Sequence, residues 1–188
     1  AKGCKDVIVV TLGTGVGGGV IVDGKIVAGF HGAGGEIGHI TVNPDEIEAC
    51  NCGQYGCLEQ YASATGIVRL AKKKLAATEK TTVLNAETVT AKDVWDAVKA
   101  GDEVAIEVAE QFGKYLGSGL AIMATVADPA IFVIGGGVSK AGDILLSYIE
   151  KIYRERAFFA HKNAEFALAS LGNDAGIIGA AKLALDNQ

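Results

Sequence analysis

The sequence lacks the features of a membrane protein and of a nucleic-acid-binding protein. No apolar run approaches the roughly 20 residues that a membrane-spanning helix needs. Lys and Arg number 17 against 22 Asp and Glu, so the net charge of −5 provides no general attraction to nucleic acid or to an anionic membrane. Aromatic residues make up only 6%, which argues against a surface on which bases stack. We therefore expect neither a nucleic-acid partner nor a membrane partner.

Repeats, linkers, low-complexity tracts and a Walker A motif are also absent from the 188 residues. The first residues, Ala1-Lys2-Gly3-Cys4, precede a short strand-like run and do not resemble a signal peptide. Hydrophobic residues make up 49% and charged residues 21%, which is typical of a globular protein with a core. These features favour a cytoplasmic protein with one large domain, or a domain with a small appendage.

Glycine is the residue type in excess. The chain has 26 glycines among 188 residues, about twice the usual proportion of ~7%. They are concentrated at residues 13–19, 29–38 and 135–137. Glycine clusters between apolar strands indicate backbone that lies close to a ligand.

The order of predicted elements is a β-hairpin followed by alternating helices and strands. Val7–Leu12 is a β-branched run typical of a buried strand, and Asp23-Gly24 between two short apolar runs predicts a type I′ turn. Thr65, Thr90 and Asp102 are candidate helix caps. Helices are predicted over residues 65–77, around 95, over 102–128, 141–156 and 174–186, and further strands over 131–134 and 165–169. This order predicts an α/β fold with a mixed sheet.

The first glycine cluster matches G-x-G-x-x-G, but the dinucleotide-binding interpretation requires a helix next, and a hairpin follows instead. A tight turn between two strands can hold a phosphate with its backbone N–H groups and a threonine hydroxyl. The alternative is a tight β-turn without a ligand. The candidate phosphate loop consists of Gly13, Thr14, Gly15, Val16, Gly17, Gly18 and Gly19.

A second glycine cluster, Gly135, Gly136 and Gly137, follows a predicted buried strand and precedes a helix. Ligands of open α/β sheets lie at the carboxyl ends of strands, so a nucleotide contact is expected here. A closely packed strand-to-helix turn is the alternative.

His39, Cys50, Cys52 and Cys57 form the strongest candidate site. Three thiolates and one imidazole suit tetrahedral Zn²⁺ and leave no open coordination position, which predicts a structural zinc in the loop 39–57. Three reduced cysteines in a loop are the alternative.

Two carboxylates, Glu36 and Glu59, stand on either side of this candidate zinc site. Carboxylates accept hydrogen bonds from sugar hydroxyls, and a zinc ion would orient the loops that carry both. Alone, either residue would be interpreted as a surface glutamate.

Two segments together resemble the signature of the ROK family of repressors, open reading frames and kinases. They are residues 32–39, from Gly32 to His39 with Glu36 inside, and residues 50–59, which read CNCGQYGCLE. With residues 11–19 upstream, the chain is most similar to the glucokinases of Gram-positive bacteria, and the resemblance extends through Gly135–Gly137 to residues 175–179.

The resemblance implies an actin-like ATPase fold built from ribonuclease-H-like domains, and an ATP-dependent kinase acting on the 6-hydroxyl of glucose or a related hexose. It implies that Gly13–Gly19 binds phosphate, that Gly135–Gly137 lies near adenosine, and that Glu36, His39 and Glu59 contact the sugar. It also implies Mg²⁺ with ATP, structural Zn²⁺, and a homodimer.

Two elements of the family are not found in residues 1–188: the Asp-x-Gly-x-Thr phosphate loop and the aspartate that acts as catalytic base. We therefore expect this chain to be the C-terminal domain, to follow an N-terminal domain that carries both, and to be inactive alone. A sugar-responsive repressor of the same family is the alternative function. A zinc-knuckle nucleic-acid module is disfavoured by the net charge of −5.

Overall fold

The computed structural model describes residues 3–170 and confirms the α/β fold with a mixed sheet. The described strands are β1 (Val7–Leu12), β2 (Val16–Val22), β3 (Lys25–Ile26), β4 (Ile131–Gly135) and β5 (Glu165–Leu168). The described α-helices are α1 (Glu59–Ala62), α2 (Ala64–Ala76), α3 (Ala91–Lys99), α4 (Glu103–Ala127) and α5 (Asp143–Arg156). Short 3₁₀ helices cover Ile37–His39, Gly137–Ala141 and Phe159–His161.

The sheet has the order β3-β2-β1-β4-β5. β2 runs antiparallel to β1 and β3, whereas β4 is parallel to both β1 and β5. β1 and β4 lie inside the sheet, and most of their residues are buried. This arrangement places the carboxyl ends of β1 and β4, each followed by glycines, side by side.

The hairpin turn between β2 and β3 forms as predicted. Asp23 and Gly24 have φ angles of 49° and 73°, the left-handed conformation that a type I′ turn requires at both central positions.

Two of the three predicted helix caps are confirmed. Thr90 and Asp93 form a reciprocal capping box at the start of α3, and the Asp102 carboxylate accepts a hydrogen bond from the Ala105 N–H at 3.0 Å. The Thr65 prediction was wrong, because Ser63 caps α2 by accepting from the Gly66 N–H at 2.9 Å. Thr65 lies within the helix, and its hydroxyl donates to the Thr14 carbonyl.

The hydrophobic core lies between the sheet and the helices. α4 packs against α1, α2, α3 and α5, and its Phe112, Leu116 and Leu120 are fully buried. α4 ends at Ala127, one residue before the predicted limit at 128, and Asp128 adopts a left-handed φ of 41° before Pro129. No helix within residues 3–170 has the length and apolar character to cross a membrane. The predicted helix 174–186 lies outside the described residues.

Candidate functional site

The candidate phosphate loop is a tight turn that continues into a strand. Gly13, Thr14 and Gly15 connect β1 to β2, and the Gly13 N–H donates to the Gly15 carbonyl at 2.9 Å. The prediction of a turn over all of residues 13–19 was wrong, because Val16 to Gly19 belong to β2 and pair with β1. The glycines of β2 have no side chains, so other backbone segments are able to approach this strand closely.

Val16 is the point at which the segments carrying Glu36 and Glu59 meet. A Cβ on Gly38 would lie 2.3 Å from the Val16 carbonyl oxygen, so the segment after Glu36 contacts the backbone here. From the other direction, the Val16 N–H donates to Glu59 Oε2 at 3.0 Å. Both predicted sugar-binding segments therefore contact the first residue of β2, and Glu36 itself is exposed.

Glu59 is the first residue of α1, two positions after Cys57, and it is half-buried. A Cβ on Gly15 would lie only 2.3 Å from Glu59 Oε2, which explains why this position of the turn has no side chain. The carboxylate also borders a small cavity of about 190 Å³ between the cysteine-containing loop and the start of α2.

The four predicted metal ligands are close together. One ligand atom from each of His39, Cys50, Cys52 and Cys57 lies within 4.8 Å of all the others. The Cys52 and Cys57 sulfurs are 3.6 Å apart, and His39 Nδ1 is 4.0 Å from Cys50 Sγ. Ligand atoms of tetrahedral zinc with Zn–S bonds of about 2.3 Å lie roughly 3.5–3.8 Å apart, so the donor set and these two separations are compatible with zinc.

The thiols of the cluster differ in their environments. Cys50 and Cys57 are buried, whereas His39 and Cys52 are exposed. Burial raises the pKa of the Cys57 thiol to about 12, and the neighbouring Cys52 and Cys50 add to this effect. A divalent cation among the sulfurs would favour the thiolate and reverse this shift.

The backbone of the cysteine-containing loop folds into tight turns around the ligands. The Gly53 N–H donates to the Cys50 carbonyl at 2.8 Å, and the Cys50 N–H donates to the Gln54 carbonyl at 2.7 Å. Gly56 has a φ of 70°, and a Cβ there would lie 1.8 Å from the Asn43 carbonyl oxygen. Only glycine satisfies both conditions at residue 56, and its conformation turns the chain directly before Cys57.

A polar network that sequence reasoning missed ties this loop to α2. Glu46 accepts from Tyr61 at 2.6 Å and from Arg69 at 2.5 Å, while Arg69 and Lys73 also contact Glu48. Burial opposes ionisation of Glu46, but hydrogen bonds from Tyr61 and Arg69 outweigh it and hold its pKa at about 2. The sequence does contain acidic residues in the loop and basic residues in α2. Their spacing matches no specific motif, so it does not predict that they pair.

A cavity of about 570 Å³ lies beside the glycine turn. Gly13 and Thr14 line one side, Gly137 another, and helix α3 contributes Trp95 and Lys99. The sequence indicated that the glycines contact a ligand. It did not indicate that α3 lines the cavity, because the pattern of α3 is that of an ordinary amphipathic helix.

The three glycines at the end of β4 have different surroundings. Gly135 is the last residue of β4, and Gly136 packs against β1, where a Cβ would lie 2.4 Å from the Leu12 carbonyl oxygen. Of the three, Gly137 lines the cavity. Gly135 and Gly136 are therefore closely packed, as in the packed-turn alternative, and the nucleotide contact predicted for residues 135–137 stays a prediction.

Fold and site together define a class: an α/β domain of the actin-like ATPase type with a cluster of three cysteines and one histidine beside a glycine turn. The ROK family model matches residues 1–187, and the chain belongs to the ROK family.

Relatives and solved structures agree with this family. A glucokinase of Halalkalibacterium halodurans is 47% identical over 94% of this chain and 55% of its own length. A ROK family glucokinase from Streptomyces griseus, solved in complex with glucose and AMPPNP, matches 96% of this chain and 61% of its own with 38% identity and a TM-score of 0.86. The N-acetylglucosamine repressor of Escherichia coli O157:H7 is 35% identical over 86% of this chain and 39% of its own length. The chain thus spans little more than half the length of the glucokinases it matches.

Proposed function

We propose that the protein containing this chain is a sugar kinase that transfers the γ-phosphoryl group of ATP to the 6-hydroxyl of glucose or a related hexose. The observation that carries the proposal is the 3.0 Å hydrogen bond from the Val16 N–H to Glu59, which joins the candidate phosphate loop to a candidate sugar ligand. A kinase needs its two substrates side by side, and this contact brings their candidate sites together. The similarity to glucokinases supports it.

On the nucleotide side, backbone N–H groups of the turn at residues 13–15 and the Thr14 hydroxyl would bind phosphate oxygens. The nucleoside would occupy the cavity of about 570 Å³ next to Gly137 and α3. Mg²⁺ would enter with ATP as part of the substrate complex.

On the sugar side, Glu36, His39 and Glu59 would hold the hexose hydroxyls. His39 Nδ1 is directed at the cysteine cluster, 4.0 Å from Cys50 Sγ, which leaves Nε2 for a sugar hydroxyl. When bound, Zn²⁺ would be structural, because three thiolates and one imidazole complete a tetrahedral shell. His39, Cys50, Cys52 and Cys57 would hold it and so orient Glu59.

We propose that residues 1–188 form the C-terminal domain and that an N-terminal domain supplies the aspartate that accepts the proton of the hexose 6-hydroxyl. The chain's coverage of only 55–61% of its glucokinase relatives supports this division. We accordingly expect the 188-residue chain alone to be inactive, and the complete protein to be a cytoplasmic homodimer.

A kinase is favoured over a repressor because identity to the glucokinase of H. halodurans is 47%, against 35% to the E. coli repressor, with higher coverage. The segment that precedes this chain discriminates directly. An Asp-x-Gly-x-Thr strand there supports a kinase, and a winged helix-turn-helix supports a repressor.

The test is a coupled assay of the complete protein with ATP, Mg²⁺ and a panel of hexoses. Glu59→Gln should lower kcat/KM for the hexose by about 10- to 100-fold, since it removes a charged hydrogen-bond acceptor. Asp45→Asn, an exposed carboxylate of the same loop, should leave kcat/KM within about twofold. Failure of the wild-type protein to phosphorylate any hexose would contradict the proposal.

A further inference from the structure

The candidate phosphate loop is held by one short segment, Glu59–Thr65. Glu59 Oε2 accepts from the Val16 N–H at 3.0 Å, and the Ala64 N–H donates to the Gly13 carbonyl at 2.7 Å. The Thr65 hydroxyl donates to the Thr14 carbonyl at 2.8 Å. Three residues of the loop therefore take their position from a segment about 50 residues away in sequence.

The Glu59–Thr65 segment has its own internal bonds. Ser63 is fully buried, and its hydroxyl donates to the Glu59 carbonyl at 2.7 Å while capping α2. At the start of the segment, the Cys57 N–H donates to Gln60 Oε1 at 3.0 Å. The segment thus forms a fixed connection between the cysteine-containing loop and the phosphate loop.

The two carboxylate oxygens of Glu59 have different surroundings. Oε2 is bonded to the phosphate loop, whereas Oε1 has no hydrogen-bond partner within residues 3–170. A carboxylate offers about four acceptor positions on its two oxygens, so a hexose hydroxyl at Oε1 does not displace the Val16 N–H. One side chain is therefore able to contact the sugar and the phosphate loop at the same time.

We propose that Glu59 and Thr65 couple the two substrate sites, Thr65 as a positioning residue that holds the phosphate loop at Thr14. The proposal rests on the kinase function proposed above. A hexose on Oε1 fixes the Glu59 side chain and with it the Val16 N–H, so less conformational freedom remains to be lost when the nucleotide binds. Coupling of this kind is reciprocal: each substrate tightens binding of the other by the same factor.

The experiment is calorimetric titration of the complete protein with AMPPNP, with and without saturating glucose, and the reverse titration. The wild type should bind each ligand about three- to tenfold more tightly in the presence of the other. Thr65→Val should raise the Kd for AMPPNP about three- to tenfold, because it removes the hydrogen bond that holds the loop at Thr14. It should also bring the coupling factor toward one, because a loop released at Thr14 no longer transmits the ordering of Val16 to the turn at residues 13–15. The Kd for glucose alone should stay unchanged, and Thr65→Ser should restore both quantities.

Thr65 is exposed, so the valine variant should fold, and its melting temperature should match that of Thr81→Val, an exposed threonine remote from the loop. Independent binding of the two ligands by an active wild type would overturn the coupling alone. An unchanged AMPPNP Kd and coupling factor in Thr65→Val would overturn the role of Thr65. A wild type that binds neither ligand would overturn the proposed function and the coupling together.

Discussion

Residues 40–57 contain isolated β-bridges and turns, whereas β1, β4 and α4 form regular structure around a core of fully buried side chains. The loop contains the candidate metal ligands, and the network of Glu46, Arg69 and Tyr61 connects it to the helices. The sheet and helices are held by burial of apolar side chains such as Phe112. The two regions should therefore respond to different perturbations: cation removal and acid for the loop, and loss of side-chain volume for the core.

The largest effect on stability is expected from Phe112→Ala. Phe112 is fully buried and packs edge-on against Trp95, so the truncation leaves a cavity and should lower the free energy of unfolding by about 3–5 kcal/mol. Chemical denaturation measures this change. Phe159→Ala, at a phenylalanine that is 75% exposed, should change stability by less than about 0.5 kcal/mol. Metal content should be unchanged in both variants. Loss of metal in Phe112→Ala would show that the loop depends on the packing of the core.

Glu46→Gln should have an intermediate effect. Its carboxylate is 7% exposed and paired with Arg69, so the change leaves a partly buried guanidinium without its partner and should cost about 2 kcal/mol. Glu103→Gln, which breaks a 3.0 Å pair with Lys80 at a 74% exposed carboxylate, should cost less than about 0.5 kcal/mol. Equal costs for the two variants would contradict the special role of the Glu46 network.

Lowering the pH should weaken the hydrogen bonds and ion pair that Glu46 forms. The folded-state pKa of Glu46 is depressed from 4.5 to about 2, so its contribution to stability is fully present above pH 4.5 and is lost as the pH falls toward 2. Denaturation midpoints measured between pH 6 and pH 2 should fall less in Glu46→Gln than in the wild type. Parallel pH profiles for the two proteins would show that this carboxylate does not titrate as described.

The smallest effect on stability is expected where the two regions meet, at Gly15. A Cβ there would lie 2.3 Å from Glu59 Oε2, so Gly15→Ala should displace that carboxylate and break its bond to Val16. We expect kcat/KM for ATP to fall about tenfold in the complete protein, with the melting temperature lowered by only about 2 °C. Gly19→Ala is the control, because Gly19 lies in β2 outside the turn at residues 13–15 that is proposed to bind phosphate, and a Cβ there meets nothing within 4 Å. Equal activity in both variants would contradict the importance of the Glu59 contact.

The contrast between loop and core also explains what the sequence could predict. The Cys3His cluster was identifiable as a candidate metal site because zinc coordination requires particular residue types, and the type I′ turn because Asp23-Gly24 suits two left-handed positions. The α3 wall of the cavity and the Glu46 network were missed, because they depend on tertiary proximity between segments with ordinary local patterns.

The helix start at Ser63 shows the same limit at short range. Ser63 and Thr65 are both good N-cap residues, and two positions separate them. In the structure Ser63 caps the helix, and the Thr65 hydroxyl instead donates to the carbonyl of Thr14, a residue about 50 positions away. Local propensity contains no information about that contact.

We propose that His39, Cys50, Cys52 and Cys57 hold a structural zinc that orients Glu59. Metal content of the purified complete protein tests this proposal, compared between Cys52→Ser and Cys4→Ser, two substitutions at exposed cysteines inside and outside the cluster. We predict about one zinc per chain in the wild type and in Cys4→Ser, and a substantial loss in Cys52→Ser together with a lower melting temperature. Unchanged zinc content and melting in Cys52→Ser would contradict the claim.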